Sequence, residues 1–236
     1  MSSILIGTSG YTYDWNKASQ NKFKWYIDQG FNSVEINGSF YRFPTKNWTG
    51  NWKKNSTKRF RFSIKVHRSI THYTRLNGDK SIKYWKRFRK SLEPIEDRIT
   101  FWLFQMPSTF KFNYENIERL KTFKENGSLD KKAVIEFRDR SWWKKNSLVE
   151  LDKLKLSMCS VDAPQLPKKL LNLNNVVYLR LHGSKSWYNY LYSEKELLNI
   201  INKMQKMPGI KKAIYLNNDH GMLPNGKFLM DQISRS

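Results

Sequence analysis

Arginine and histidine occupy alternate positions in VVYLRLHG, residues 176–183, a segment that is otherwise apolar. Val, Tyr and Leu favour a buried β-strand, and side chains two residues apart on a strand point to the same face. Arg180 and His182 therefore stand side by side, while Leu179 and Leu181 face the other way. A guanidinium beside an imidazole can hold an anion and exchange a proton. The segment predicts a polar site at the end of a strand.

Polar residues recur at the ends of other strand-like segments. They are the same-face pairs Glu35 with Asn37, Lys65 with His67, Glu136 with Arg138 and Asn217 with Asp219, and the single residues Gln105 and Asp162. Each pair taken alone is explained by a structural ion pair or hydrogen bond. The whole set favours a binding site instead, because so many buried ionic groups are costly to keep.

Eight apolar segments predict the strands that must position these residues. They are residues 4–9, 33–37, 60–67, 100–105, 133–138, 156–162, 176–182 and 213–217. Segments of helical periodicity lie between them at 80–92, 113–125, 148–154 and 193–207. Residues 38–59 and 163–174 read as loops that contain at most a short helical turn. Strands that alternate with helices predict an α/β fold with parallel pairing. Eight such units match a TIM (β/α)8 barrel with some helix-poor connections, and an open doubly wound sheet is the alternative.

Composition limits the partners and the compartment. The chain carries 43 Lys and Arg against 20 Asp and Glu, a formal net charge of +23. Such an excess favours nucleic acid or another phosphorylated ligand, although solvated basic faces explain it equally well. Cys159 is the one cysteine, which excludes an intramolecular disulfide. No apolar run long enough for a membrane span and no signal peptide are evident, so we expect no membrane partner and a cytoplasmic location. No Gly- or Ser-rich linker divides the chain, which predicts a single domain over residues 1–236.

Seven ordered motifs resemble those of the domain of unknown function 72 family, also called YecE-like. They are IGTSGYTYDW, FNSVEINGSFYRFP, FRFSIKVHRSITH, LFQMPSTF, VIEFRDRSW, YLRLHG and YLNNDHG. The resemblance covers about residues 4–228 and implies a TIM-barrel fold. The motif positions that it marks as candidate site residues are Ser9, Glu35, Asn37, Tyr41, Lys65, Gln105, Glu136, Arg138, Asp162, Arg180, His182, Asn217, Asn218 and Asp219. Asp139 departs from a frequent histidine of the family, and Tyr11 from a frequent tryptophan.

Residue chemistry suggests roles for these positions. Arg138, Arg180 and Lys65 are expected to hold an anion, because guanidinium groups suit phosphate or carboxylate. Glu35 and Glu136 are candidate general acids or bases, and neighbouring charges and burial could tune them toward neutrality. The expected catalytic set is Glu35, Glu136, His182 and Asp162; the expected substrate-binding set is Ser9, Asn37, Tyr41, Lys65, Gln105, Arg138, Arg180, Asn217, Asn218 and Asp219. The four histidines form no HxH or HExxH pair, so a zinc cluster is hard to build. A Mg or Mn site made of Glu35, Glu136, Asp162 and Asp219 stays open.

Three functions fit these observations. The leading one is a hydrolase-like enzyme that acts at the barrel mouth on a phosphate-bearing substrate, with nucleic acid the first substrate class. The second is a protein that binds nucleic acid through charge and aromatic rings without catalysis. The third is a carbohydrate-active enzyme, for which two carboxyl groups and aromatic platforms suffice.

Overall fold

Eight parallel strands form the centre of the molecule in a computed structural model that describes residues 4–235. They are β1 (Leu5–Thr8), β2 (Ser33–Ile36), β3 (Arg61–Lys65), β4 (Ile99–Gln105), β5 (Ala133–Glu136), β6 (Ser157–Asp162), β7 (Val176–Leu181) and β8 (Lys211–Leu216). Hydrogen bonds join them in the order β1-β8-β7-β6-β5-β4-β3-β2. The ring is nearly closed, since the parallel bridge between Ser9 and Glu35 brings β1 to β2. The predicted TIM-barrel fold and its eight strands are confirmed.

Helices cover the outside of this ring. They are α1 (Lys22–Asp28), α2 (Lys46–Asn55), α3 (Gly78–Leu92), α4 (Tyr114–Asn126), α5 (Lys145–Lys153), α6 (Glu194–Lys206) and α7 (Met222–Ser234). The helices predicted from periodicity correspond to α3, α4, α5 and α6. Short 3₁₀ or π turns follow several strands, at Gly38–Phe40, Ser69–Tyr73, Arg140–Trp143 and Asp219–Gly221. Within residues 4–235, none of the helices combines the length and the apolar character that crossing a bilayer requires.

Two connections between strands were predicted to be loops, and the structure confirms only one of these predictions. Residues 38–59 contain the ten-residue helix α2, so the prediction of a loop was wrong there. Thr45 caps this helix by accepting a hydrogen bond from the Trp48 backbone N–H, and Trp52 is buried one turn later. Residues 163–174 contain no helix, as predicted.

Side chains complete the closure of the barrel between β1 and β2. The Tyr26 hydroxyl accepts from Thr8 N at 3.0 Å and donates to Ser33 O at 2.8 Å. Nearer the strand starts, the Asn32 side chain accepts from Ile6 N at 2.7 Å and donates to Ile4 O at 2.9 Å, so it holds β1 from the residue before β2. Gly7 makes this approach possible, because a Cβ atom there would lie 2.3 Å from Ser33 O. The buried backbone groups at this seam are thus satisfied without a full ladder.

Side-chain parity separates the barrel interior from the layer under the helices. Leu179 and Leu181 belong to the core between sheet and helices, whereas Tyr178 belongs to a second apolar cluster inside the barrel. Along β7 the interior positions therefore change from apolar Val176 and Tyr178 to Arg180. The apolar lower interior supports a polar layer at the strand C-termini, which is the end where TIM-barrel chemistry takes place.

Candidate functional site

Arg180 joins two glutamates at the centre of the polar layer. Its Nε lies 3.0 Å from Glu35 Oε2, and its Nη2 lies 2.7 Å from Glu35 Oε1. Its Nη1 donates to Glu136 Oε2 at 2.7 Å. All three side chains are fully buried. Three strands, β2, β5 and β7, thus each contribute one charged group to a compact ion network.

Every donor of the Arg180 guanidinium has a partner. Besides the glutamates, Nη1 donates to His182 Nε2 at 3.1 Å and Nη2 to Ser9 Oγ at 3.3 Å. A guanidinium carries five N–H donors, and the five contacts use them all. Burial alone would lower the pKa of Arg180, but Glu136 and Glu35 outweigh it and raise the pKa well above its ordinary value. Arg180 therefore has all five donors engaged within the protein, and its expected role as an anion clamp stays a prediction.

Glu35 is equally saturated. In addition to the two Arg180 bonds, its Oε1 accepts from Ser9 Oγ at 2.7 Å and its Oε2 from the Tyr178 hydroxyl at 2.7 Å. Tyr178 lies in turn 2.6 Å from Ser63 Oγ. Four bonds fill the acceptor sites of a carboxylate. The arrangement makes Glu35 a structural partner of Arg180, with every acceptor site already bonded within the protein.

Two arginines hold Glu136 ionised. Arg138 contacts Glu136 Oε1 through its Nε, and Arg180 contacts Oε2 from the other side. Burial favours the neutral acid, but the two guanidinium groups overcome it and hold the pKa of Glu136 well below its usual range. The expectation that burial and neighbouring charges tune this carboxyl toward neutrality was therefore wrong.

His182 is a neutral ring held between cations and an amide. Guanidinium groups only donate, so Nε2, which faces Arg180 and lies 3.4 Å from Arg138 Nη2, is the accepting nitrogen. Nδ1, which carries the proton of this neutral ring, lies 2.9 Å from Asn217 Nδ2, so the Asn217 amide must present its oxygen there to accept from it. Burial and then the charge of Arg180 lower the pKa of His182 to about 3. His182 is therefore engaged on both nitrogens and uncharged at neutral pH.

Arg138 reaches from the network to the mouth. Its side chain keeps 15% of its surface exposed, whereas those of Glu136 and Arg180 keep none. Its guanidinium lies 4.8 Å from the centre of the Trp187 ring, a cation–π distance. Trp187 also packs 5.4 Å from the His182 ring. The loop after β7 thus covers one side of the mouth with aromatic surface.

Lys65 ends β3 on the interior parity and is half-buried. Its Nζ lies 4.3 Å from the centre of the Phe40 ring. The structure gives Nζ no hydrogen bond or ion pair with any residue from 4 to 235. Burial and then the charge of Arg180 lower the pKa of Lys65 to about 7. Lys65 is thus a cation that can lose its proton near neutral pH.

The remaining predicted residues lie at the rim or serve the scaffold. Asn37 donates to Ser9 O at 3.2 Å, and Gln105 to Met106 O at 3.3 Å. Tyr41 is exposed at the rim. Asn218 donates to Tyr190 O and to Asn225, which anchors the loop after β7. Asp219 is half-buried, and burial raises its pKa; its charge acts on Tyr13.

Asp162 lies outside the polar layer, so its expected place beside Glu35 and Glu136 was wrong. Strand parity is the reason, because Val161 before it faces the interior cluster. The Asp162 carboxylate accepts from Ser184 Oγ at 2.8 Å and lies 3.8 Å from Lys168 Nζ. It lines a side cavity of about 290 Å³ near α6, next to the helix-poor segment 163–174.

The four carboxylates proposed for Mg or Mn are not gathered in one place. Asp162 lies in the side cavity, Asp219 at the rim, and Glu35 and Glu136 are both bonded to Arg180. In the described part of the chain, no three His, Cys, Asp or Glu side chains are close enough to hold a metal ion. The donor set does not fit a divalent cation, because two arginines already neutralise the interior carboxylates.

Tyr178, Ser63 and Trp187 belong to the site but were not among the predicted residues. Tyr178 and Ser63 could have been found, because each lies two positions before a predicted residue on the same strand face. Trp187 lies in the loop after β7. Its position over Arg138 depends on the folded loop and leaves no local signal in the sequence.

A nearly closed ring of eight parallel strands with a buried ion network at the strand C-termini defines a TIM-type α/β barrel protein. The family model described as Protein of unknown function DUF72 matches residues 5–224, and the chain belongs to this family. It is 26% identical to UPF0759 protein YunF of Bacillus subtilis (strain 168), over 97% of this chain and 94% of that protein.

Solved structures of two DUF72 family proteins share the fold. The protein from Enterococcus faecalis V583 superposes with a TM-score of 0.84 at 21% identity, covering 99% of this chain and 96% of that chain. The protein from Thermotoga maritima MSB8 superposes with a TM-score of 0.82 at 22% identity, covering 99% of this chain and 100% of that chain. At this identity the likeness concerns the fold alone.

Proposed function

We propose that this protein is a hydrolase-like enzyme that acts on a phosphate-bearing substrate at the C-terminal mouth of the barrel. The observation that carries the proposal is a contrast between cations at the strand C-termini. Arg180 has every N–H donor engaged, whereas Arg138 and Lys65 do not. Arg138 is partly exposed, and the Lys65 ammonium has no hydrogen-bond or ion-pair partner in the described chain. A guanidinium and an ammonium at one mouth suit a phosphate group.

Nucleic acid is the leading substrate class. The net charge of +23 attracts polyanions over a long range. Exposed Tyr41 and Tyr188 at the mouth offer ring faces on which bases can stack. Trp187, beside Arg138, adds a third ring.

Lys65 is the proton acceptor that this site favours. Glu136 is too acidic for the role because two arginines hold it ionised, and His182 has both nitrogens engaged. A lysine whose pKa lies near 7 carries a lone pair in about half of the molecules at neutral pH. The neutral amine takes a proton from the attacking water, and Arg138 holds the phosphate group.

Two measurements test this proposal. The first is binding of a fluorescent single-stranded oligonucleotide at several salt concentrations, which we expect to weaken steeply as salt rises. The second is hydrolysis of bis(p-nitrophenyl) phosphate by the wild type and three variants. Arg138→Met should weaken binding, and Lys65→Met should abolish turnover. Lys83→Met, an exposed lysine on α3, is the matched control and should change turnover little. Absence of both binding and turnover in the folded wild type contradicts the proposal.

Nucleic-acid binding without catalysis is the second candidate. It is favoured by the ion pairs of both interior carboxylates, since Glu35 and Glu136 are each bound to Arg180. Salt-sensitive binding with no turnover would select it. The same ion pairs weaken the carbohydrate alternative, because a glycosidase needs two carboxyl groups free to react.

A further inference from the structure

We propose that Lys65 acts as an amine nucleophile that forms an imine with an aldehyde or ketone group of the substrate. The inference rests on the proposed function in one respect, which is that Arg138 binds the phosphate group of that substrate, and it gives the Lys65 amine a covalent role in place of proton acceptance. It adds a second functional group, a carbonyl, and a covalent step.

The surroundings of Lys65 leave its nitrogen free. Two buried carboxylates share the barrel interior with it, yet neither pairs with Nζ. Glu35 has its four acceptor sites filled by Ser9, Tyr178 and Arg180, and Glu136 is held by the two arginines. The arginine-centred network therefore occupies both glutamates, and neither forms an ion pair with the amine.

The position of Lys65 suits a reacting group. It ends β3 on the interior parity, at the end of the barrel where substrates bind in this fold. Its stem is half-buried, and its nitrogen lies against the Phe40 ring rather than in bulk water. Burial and Arg180 lower the pKa of its ammonium group to about 7. Desolvation beside another cation is a known way to activate a lysine.

The step conserves atoms and electrons. The Nζ lone pair forms a C–N bond to the carbonyl carbon, and a proton moves from nitrogen to oxygen to give a carbinolamine. The C–O bond then breaks as the hydroxyl takes the remaining nitrogen proton and leaves as water, and a C=N bond remains on Lys65. No oxidant or reductant takes part, and hydrolysis of the imine returns the free amine.

Three small probes separate the carbonyl from the phosphate. Glyceraldehyde 3-phosphate carries both groups, glycerol 3-phosphate carries only the phosphate, and glyceraldehyde carries only the aldehyde. The full-length protein is incubated with glyceraldehyde 3-phosphate at pH 7 and reduced with borohydride. The modified lysine is then identified by peptide mass spectrometry. We expect Lys65 to be labelled roughly tenfold or more faster than exposed Lys83, because far more of the Lys65 amine is unprotonated at this pH.

Variants make the assignment specific. Lys65→Arg keeps the positive charge but cannot form an imine, and it should lose the fast label. Lys83→Arg should keep it. Unchanged circular dichroism and unfolding midpoint show that each variant is folded. A second measurement on the wild type, the pH dependence of labelling, should show half-maximal rate near pH 7.

The outcomes distinguish this inference from the proposed function. Binding of glycerol 3-phosphate that is lost in Arg138→Met supports the phosphate site. If this binding is found and Lys65 is not labelled faster than Lys83, the imine inference is overturned and the proposed function still stands. Fast labelling of Lys65 by glyceraldehyde, with no binding of glycerol 3-phosphate, supports the nucleophile and counts against the phosphate site. Labelling of Lys65 at the rate of Lys83 by both aldehydes overturns the inference.

Discussion

Arg180 and Glu35 meet through two parallel hydrogen bonds inside the barrel, Nε to Oε2 at 3.0 Å and Nη2 to Oε1 at 2.7 Å. Both side chains are fully buried. Such a pair adds little net stability over an apolar core, but removing one partner strands a charge in a medium of low dielectric constant. The arginine is the more sensitive member, because it also neutralises Glu136.

Arg180→Met should therefore lower the free energy of unfolding by about 3–5 kcal/mol or prevent folding. The variant leaves Glu35 without its cation and Glu136 with Arg138 alone. Urea denaturation followed by circular dichroism measures the change. The control is Arg119→Met, which breaks a surface pair with Glu115 and should cost less than about 1 kcal/mol. Equal losses in the two variants would contradict a special role for the buried arginine.

His182 should make the protein less stable as the pH falls. Its pKa is about 3 in the folded protein, whereas the ordinary value of a histidine is 6.5. Between these values the unfolded chain binds a proton that the folded protein does not. The free energy of unfolding therefore decreases by about 1.4 kcal/mol per pH unit from this group as the pH falls through that window.

His182→Gln removes this titration, so the difference in unfolding free energy between wild type and variant should change with pH between about 6 and 4. Urea denaturation at several pH values measures it. A constant difference across the window would mean that His182 titrates normally in the folded protein.

Tyr26→Phe should destabilise the seam between β1 and β2. The substitution removes the hydroxyl that serves Thr8 N and Ser33 O, which leaves two buried backbone groups without partners. The expected cost is about 1–3 kcal/mol. Tyr114→Phe, at an exposed tyrosine on α4, is the control and should be nearly neutral. Thermal unfolding of both variants provides the measurement, and an unchanged midpoint in Tyr26→Phe would exclude this role for the hydroxyl.

Two glycines should respond to alanine in opposite directions. Gly7→Ala places a Cβ atom 2.3 Å from Ser33 O, so the strands must separate and stability falls. Gly50 lies within α2, where a Cβ atom meets nothing within 4 Å. Gly50→Ala should raise stability by about 0.5–1 kcal/mol through helix propensity. Stabilisation by Gly7→Ala would contradict the close approach of β1 to β2.

Periodicity in the sequence predicted the strands and the meeting of Glu35, Glu136, Arg180 and His182. Alternation of polar and apolar residues is a local property, and a closed ring of parallel strands brings alternate residues together whatever their separation in the chain. Helix α2 was missed because Gly50 and several polar residues weaken its apolar stripe. Trp48 and Trp52, one turn apart, were the signal that could have shown it.

The hydrogen-bond and ion-pair partners of each charged group could not be predicted from the sequence. Lys65 and Arg180 carry the same formal charge, but Lys65 has no hydrogen-bond or ion-pair partner in the described chain, whereas Arg180 has five such contacts. That difference depends on which side chains from strands far apart in the sequence come within hydrogen-bond distance. Asp162 was misplaced for a simpler reason, since it lies one position out of step with interior Val161.

Contributions to the ion network come from both ends of the chain. Ser9 and Glu35 belong to the first quarter-turn of the ring, and Glu136 and Arg180 belong to the later strands. A fragment that stopped after β4 would bury Glu35 without its cation, and one that began at β5 would lack the carboxylate that Arg180 needs. Neither half of the cylinder is electrostatically self-sufficient, so we expect the chain to unfold as one cooperative unit rather than in two stages.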